Sequence, residues 1–169
     1  ISKANLDGKV ALVTGVGRGI GQAIVLALAE AGADIAGLYR TNYEETQAQV
    51  ETLGRRFLAI QCDLQEATLA RLSGVVDQVF HTTGRLDILV NNAGIIRRAP
   101  VLEFSEQDWD TVIQVDLKAP FFLSQAAARV MARQGGGKII HIASVLAFQG
   151  GILVPSYTAA KSGIAALTR

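Results

Sequence analysis

Short apolar runs alternate with longer stretches of helical periodicity along the 169 residues of this chain. The run KVALVT, Lys9 to Thr14, is unbroken in apolar and β-branched residues after its lysine and predicts a strand covered on both faces. After a glycine-rich segment, Ile20, Ala23, Ile24, Ala27, Leu28 and Ala31 recur at helical spacing, and Gly32 marks the stop. The alternation then repeats. DIAGLY (Asp34–Tyr39), FLAIQCD (Phe57–Asp63), LDILVNNAG (Leu86–Gly94) and GKIIHIAS (Gly137–Ser144) read as strands. Helices are expected over 43–54, 67–84 and 105–134, and from Tyr157 onward. Ser105 is a natural N-cap for the long third of these, and Pro120 within it predicts a kink or an early break.

Repeated β-α-β order predicts an α/β fold, a doubly wound parallel sheet with helices on both faces. In such sheets ligands bind outside the carboxyl ends of the strands. The polar or glycine-rich segments 14–21, 62–64, 91–98 and 144–151 each follow a strand, so they are expected to share that edge.

Composition narrows the partners. Half the residues are apolar, 18% are charged and the formal net charge is +1, which gives no electrostatic case for nucleic acid or an anionic membrane. No apolar run reaches the ~18 residues of a membrane span. The single cysteine, Cys62, excludes an internal disulfide and fits a reducing, cytoplasmic setting. Its apolar neighbours predict a buried, inert thiol. His81 and His141 lack metal-ligand spacing, so structural roles and no metal are expected. The first residue is Ile1, and the last helix is still running, uncapped, at Arg169, so further protein is expected beyond it.

The candidate chemistry starts at TGVGRGIG, Thr14 to Gly21. The dinucleotide pattern G-x-G-x-x-G fits in no register, since Ile20 or Gln22 falls where its last glycine should be, and the G-x-x-x-x-G-K-[ST] phosphate loop fails too. The pattern T-G-x-x-x-G-I-G fits, with Gly15, Gly19 and Gly21 fixed and Gly17 incidental. Between a strand and a helix it is either a tight turn or a seat for a pyrophosphate on helix N–H groups. NNAG, Asn91 to Gly94, is by itself a turn signal. In SYTAAK, Tyr157 and Lys161 stand four apart on one helix face, and Ser144 closes the preceding strand.

In this order and on these elements, the four signals resemble the short-chain dehydrogenase/reductase family over the whole chain. The resemblance implies a Rossmann-type, three-layer nucleotide-binding domain spanning 1–169. Two further strands and a substrate-covering loop would follow in the part beyond Arg169. It also implies a homotetramer or homodimer, built partly on the helix of Tyr157.

The implied reaction interconverts a secondary alcohol and a ketone. Hydride transfer to a carbonyl leaves an alkoxide that needs a proton, and the reverse needs a base. By resemblance Tyr157 is that acid/base. Lys161 favours its phenolate and binds the nicotinamide ribose, and Ser144 holds the substrate oxygen. The implied cofactor contacts are Gly15, Arg18, Gly19, Ile20, Gly21, Arg40, Asp63, Leu64, Asn91, Ala93 and Gly94, together with Tyr157 and Lys161. Asp63 would meet the adenine. One departure stands out, because Asp116 occupies the place of an asparagine that supports a proton relay in the family. A carboxylate accepts hydrogen bonds and donates none unless protonated. Asp116 is expected still to order the relay water.

Dinucleotide folds that take NAD usually carry an acid at the end of the second strand. Here Tyr39 and Arg40 stand there, and the first nearby acid is Glu44. Arg40 and Arg18 favour NADP(H) over NAD(H), since guanidinium pairs with phosphate. The alternatives are a solvated Arg40, and an Arg18 of the kind also present in NAD-using relatives. The segments NNAGIIRRAPVLEFSEQDWD and SVLAFQGGILVPSYTAAKSG are similar to the sugar-acid branch, the gluconate and deoxy-gluconate dehydrogenases. Arg97 and Arg98 would then clamp a carboxylate, or else sit at the surface, and Gln149 would bind a hydroxyl. Leu153 departs from that branch, where an arginine is common. A 3-oxoacyl-thioester reductase remains open, as does a nucleotide-binding module without activity.

Overall fold

The computed structural model describes residues 5–169. Five strands, β1 (Val10–Thr14), β2 (Asp34–Tyr39), β3 (Phe57–Gln61), β4 (Ile88–Asn91) and β5 (Lys138–His141), form one parallel sheet in the order β3-β2-β1-β4-β5. The chain steps outward from β1 to β3, then crosses back to place β4 on the other side of β1. That reversal opens a crevice at the carboxyl ends of β1 and β4, where such sheets take their ligands.

The expected helices form between the strands. They are α1 (Gly19–Glu30), α2 (Glu44–Thr52), α3 (Leu69–Thr83), α4 (Glu106–Ile113), α5 (Ala119–Arg133) and, numbered after a short α6 (Leu146–Gln149) that the sequence does not predict, α7 (Pro155–Leu167). Side-chain alternation in β1 divides the core between the two faces of the sheet. Val10 and Leu12 join Leu72, Val76, Leu123 and Ala127 of α3 and α5. Ala11 and Val13 join Val25 and Ala29 of α1 and Val50 of α2. The central strands β1 and β4 are buried throughout, as their unbroken apolar runs predict, whereas the flanking β5 alternates between exposed and half-buried. Cys62 is buried, and burial pushes its thiol up from the ordinary range.

The helix expected over 105–134 is divided. Ser105 caps its start as predicted, its Oγ accepting the Asp108 N–H at 3.1 Å. Pro120 brings neither the early break nor a loss of helix beyond it. Instead the chain passes through one π turn, Gln114–Lys118, with the Ala119 N–H reaching back five residues to the Gln114 carbonyl, and then continues as α5 to Arg133. Proline has no N–H for the Asp116 carbonyl, and the wider turn takes up that missing bond locally. Val115 and Asp116 of the turn are both buried. Among the described residues, no helix is long and apolar enough to cross a membrane.

Candidate active site

A cleft of about 620 Å³ opens along the carboxyl edge of the sheet. It is lined by Gly15, Arg18, Gly19, Ile20 and Gly21 after β1, by Tyr39 and Arg40 at the end of β2, by Asp63 and Leu64 after β3, and by Ala93 and Gly94 after β4. Of the four segments expected to share this edge, 14–21, 62–64 and 91–98 contribute to the cleft, and the end of β2 joins them, while 144–151 does not line it. α1 begins here with no capping side chain and no acid in its first turn, which leaves its N-terminal dipole free for an anion. Gly19 has φ +59°, and a Cβ built on it would meet nothing within 4 Å, so its bare backbone borders open space.

Three polar side chains without an expected role hold the glycine wall, Thr14 and Asn92 from within the TGVGRGIG and NNAG motifs and Thr46 from outside them. The Thr14 hydroxyl accepts the N–H groups of Asn92 and Ala93, at 3.0 and 2.9 Å. Asn92 Nδ2 donates to the Thr14 carbonyl at 2.9 Å and to that of Gly15 at 3.3 Å. From α2 the buried Thr46 hydroxyl donates to the Val16 carbonyl at 2.9 Å. The reading of Gly17 as incidental is overturned. A Cβ there would lie 2.3 Å from the Asn42 carbonyl oxygen, so glycine is what lets the loop after β1 touch the loop after β2.

Past Gly94 lies the second part of the site, carried by α7. Tyr157 is half-buried, and the Lys161 ammonium sits 5.5 Å from the centre of its ring, so the predicted pair meets on one helix face. Lys161 itself is buried; its Nζ donates to the Ile142 carbonyl at 2.9 Å. Ser144 lies between β5 and α6, with its Oγ accepting the Leu146 N–H at 3.2 Å. Ser162 fastens α6 to α7 through the Ala147 carbonyl at 3.1 Å, and so holds the Ser144 segment beside the helix of Tyr157. A Cβ on Gly163 would stand 2.9 Å from Leu117, so glycine allows α7 to lie close against the π turn.

That turn delivers Asp116 to Lys161. Asp116 is fully buried; its Oδ1 accepts the Ile95 N–H at 2.8 Å, and its Oδ2 stands 3.6 Å from Lys161 Nζ with no hydrogen-bond partner. Burial pushes its carboxyl up to about 6, with the Ile95 amide and Lys161 opposing. The folded state therefore keeps a proton that the unfolded chain releases. Its contribution to stability is present below the ordinary value of 3.8 and is lost as the pH rises through about 6. Thermal melting should accordingly fall more over that window in the native protein than in Asp116→Asn. Parallel melting curves across pH 4–7 would refute the burial argument.

Other candidates lie apart. Asn91 is buried away from the cleft, its Nδ2 donating to Ser124 Oγ at 3.0 Å and lying 3.2 Å from His141 Nδ1, while its neighbour Asn92 lines the cleft wall. Burial, then the field of Lys161, hold His141 below its ordinary value. Arg97 pairs with Asp108 at 3.2 Å, whereas the exposed Arg98 makes no ion pair among the described residues. Gln149 ends α6, exposed.

A sequence profile of short chain dehydrogenases matches residues 9–169. The chain belongs to the short-chain dehydrogenase family. It is 52% identical over 170 residues to 2-dehydro-3-deoxy-D-gluconate 5-dehydrogenase of Escherichia coli (strain K12), covering 100% of this chain and 66% of that relative. The chain thus spans slightly under two thirds of that short-chain dehydrogenase. A crystal structure from Agrobacterium tumefaciens, described as a candidate 2-deoxy-D-gluconate 3-dehydrogenase with bound NADP, is 46% identical with a TM-score of 0.88, covering 99% of this chain and 66% of that one. An NAD+-bound xylitol dehydrogenase is 34% identical with a TM-score of 0.91, covering 96% of this chain and 63% of that one. The five-stranded parallel sheet with helices on both faces is the Rossmann-type fold of the family.

Proposed function

We propose that this chain is the nucleotide-binding part of an NAD(P)-dependent oxidoreductase that interconverts a secondary alcohol and a ketone on a sugar acid. The observation that carries the reading is the Lys161 ammonium over the Tyr157 ring, at the Gly94 end of the glycine-walled cleft. The open α1 terminus and bare Gly19 suit a dinucleotide pyrophosphate, with Asp63 and Leu64 toward the adenosine end. A nicotinamide cofactor, when bound there, would supply or accept the hydride. Tyr157 gives the developing alkoxide its proton, or takes the alcohol's, while Ser144 holds the same oxygen. Lys161 would favour the phenolate and hold the nicotinamide ribose.

The sugar-acid assignment is supported by the name of the 52%-identical relative. Of the two arginines after NNAG, Arg98 has charge to offer a carboxylate, whereas Arg97 is already tied to Asp108. Trp109 of α4 and Phe121 of α5, both partly exposed, support the expected homo-oligomer. Following nicotinamide absorbance against a panel of gluconate-type acids and 3-oxoacyl thioesters tests the substrate class. Turnover of thioesters alone would replace it, and cofactor binding without turnover of any alcohol or ketone would leave a binding module.

NADP(H) is the preferred cofactor in this reading. Arg18 and Arg40 both border the cleft, both are exposed, and neither makes an ion pair among the described residues. Two free guanidiniums near the adenosine end suit a 2′-phosphate, and no acid stands at the end of β2 for a bare ribose. Arg40→Asp should cut the NADP-to-NAD ratio of kcat/KM by about tenfold or more. An unchanged ratio would remove Arg40 from the assignment.

A further inference from the structure

Asp116 and Lys161 bury opposite charges side by side, next to the proposed acid/base, and the proposed reaction leaves the aspartate without a task. Its Oδ2 has no hydrogen-bond partner and faces Lys161 Nζ at 3.6 Å. Gly94 keeps this spot open, since a Cβ on it would lie 3.0 Å from that oxygen and 3.4 Å from Lys161 Nζ. Two anchors fix the pair: the Ile95 N–H on Oδ1 and the Ile142 carbonyl on Nζ. Both partners are buried, so the aspartate stays in the field of the lysine.

We propose that Asp116 is the counter-ion of Lys161 and that its negative charge offsets the pull of Lys161 on the Tyr157 phenolate. Asp116 is thereby a positioning and tuning residue. It acts through Lys161 and touches neither substrate nor cofactor. The inference rests on the reading of Tyr157 as acid/base.

The surroundings leave few other sources for such an effect. Lys161 faces Asp116 from α7, its Nζ also 5.5 Å from the centre of the Tyr157 ring, and His141 of β5 shares the Lys161 field. Glu106 and Asp110 of α4, Lys118 of the turn, and Arg129 and Arg133 of α5 are exposed, and Asp108 is half-buried and paired with Arg97. Among the described residues, Lys161 is the charge that acts on the Asp116 carboxyl.

The sign follows from charge alone. At neutral pH, above its titration near 6, Asp116 is negative and a nearby negative charge disfavours phenolate. The charge of Asp116 thus favours the phenol, the form that donates to a ketone. Removing the charge frees Lys161 to favour phenolate, the form that accepts the alcohol's proton. In Asp116→Asn the acid limb of the pH–rate profile for alcohol oxidation should move down by about one pH unit. Asp116→Ser, a second uncharged variant, should move it the same way.

A readout without turnover accompanies this. Tyrosinate absorbance of the cofactor-free protein, assigned by its loss in Tyr157→Phe, should appear about one pH unit lower in Asp116→Asn. Limbs and absorbance that coincide with wild type in both Asp116 variants overturn the proposal. So does a limb that moves with His141→Gln and not with Asp116→Asn. A Tyr157→Phe protein that keeps full activity would instead overturn the underlying reading, and so the two failures are distinguishable.

Discussion

Tyr157→Phe should lower kcat about a thousandfold while leaving cofactor affinity within about threefold of wild type, because general acid–base groups contribute ~10²–10⁴ in rate. The substitution removes one oxygen and keeps the ring on which the Lys161 ammonium rests at 5.5 Å. Lys161 also stays fixed by the Ile142 carbonyl and by Asp116, so its position does not depend on the phenol. The half-buried ring loses no buried packing, and folding should be intact by melting. The loss should fall on kcat, since the proton moves only in the chemical step. Single-turnover kinetics with a gluconate-type acid, alongside cofactor titration by nicotinamide fluorescence, reads both quantities. If kcat stays within tenfold of wild type, another group carries the proton and the assignment of Tyr157 fails.

How much of this site was legible depended on how far a residue's meaning lay in its own neighbourhood. The unbroken apolar runs of β1, β2 and β4 declared themselves because both faces of those strands are covered by helices, and position in a motif was enough to bring Gly15, Gly94, Tyr157 and Lys161 to one edge. Gly17 was misread because the atom that excludes a side chain there, the Asn42 carbonyl, belongs to the next β-α loop. Within NNAG, Asn91 rather than Asn92 was expected beside the cofactor. In a strand, neighbouring side chains face opposite ways, and Asn91 at the end of β4 points to Ser124 and His141 while Asn92 turns to Thr14. The π turn was hidden for a related reason. Pro120 announced a lost hydrogen bond, but whether the chain breaks, kinks or widens there is decided by packing against α3 and α7, and the result puts Asp116 beside a lysine from another helix.

Gly21→Ala should lower Tm by roughly 5 °C or more and weaken NADP(H) binding at least about tenfold. A Cβ at this position would lie 2.0 Å from the Gly15 carbonyl oxygen and 2.6 Å from Asn92 Nδ2. The first contact is with backbone and cannot be relieved by a rotamer change. Moving Gly15 also disturbs the Asn92 bonds to Thr14 and Gly15 that join the glycine wall to the NNAG segment, so the damage spreads from the loop after β1 to the segment after β4. Gly17→Ala should lower stability in the same way, its Cβ meeting the Asn42 carbonyl oxygen at 2.3 Å. Gly19→Ala is the contrasting case. Its added methyl meets no atom within 4 Å, so the stability cost is the ~1 kcal/mol of holding alanine at φ +59°, yet the methyl intrudes on the space where a pyrophosphate would lie. Melting curves and cofactor titrations on the three variants should therefore separate. Gly21→Ala and Gly17→Ala lose the most stability, while Gly19→Ala loses affinity out of proportion to its melting change. Equal melting of Gly21→Ala and wild type would mean that the β1–α1 turn relaxes freely, and Gly21 would then have no structural claim on its place.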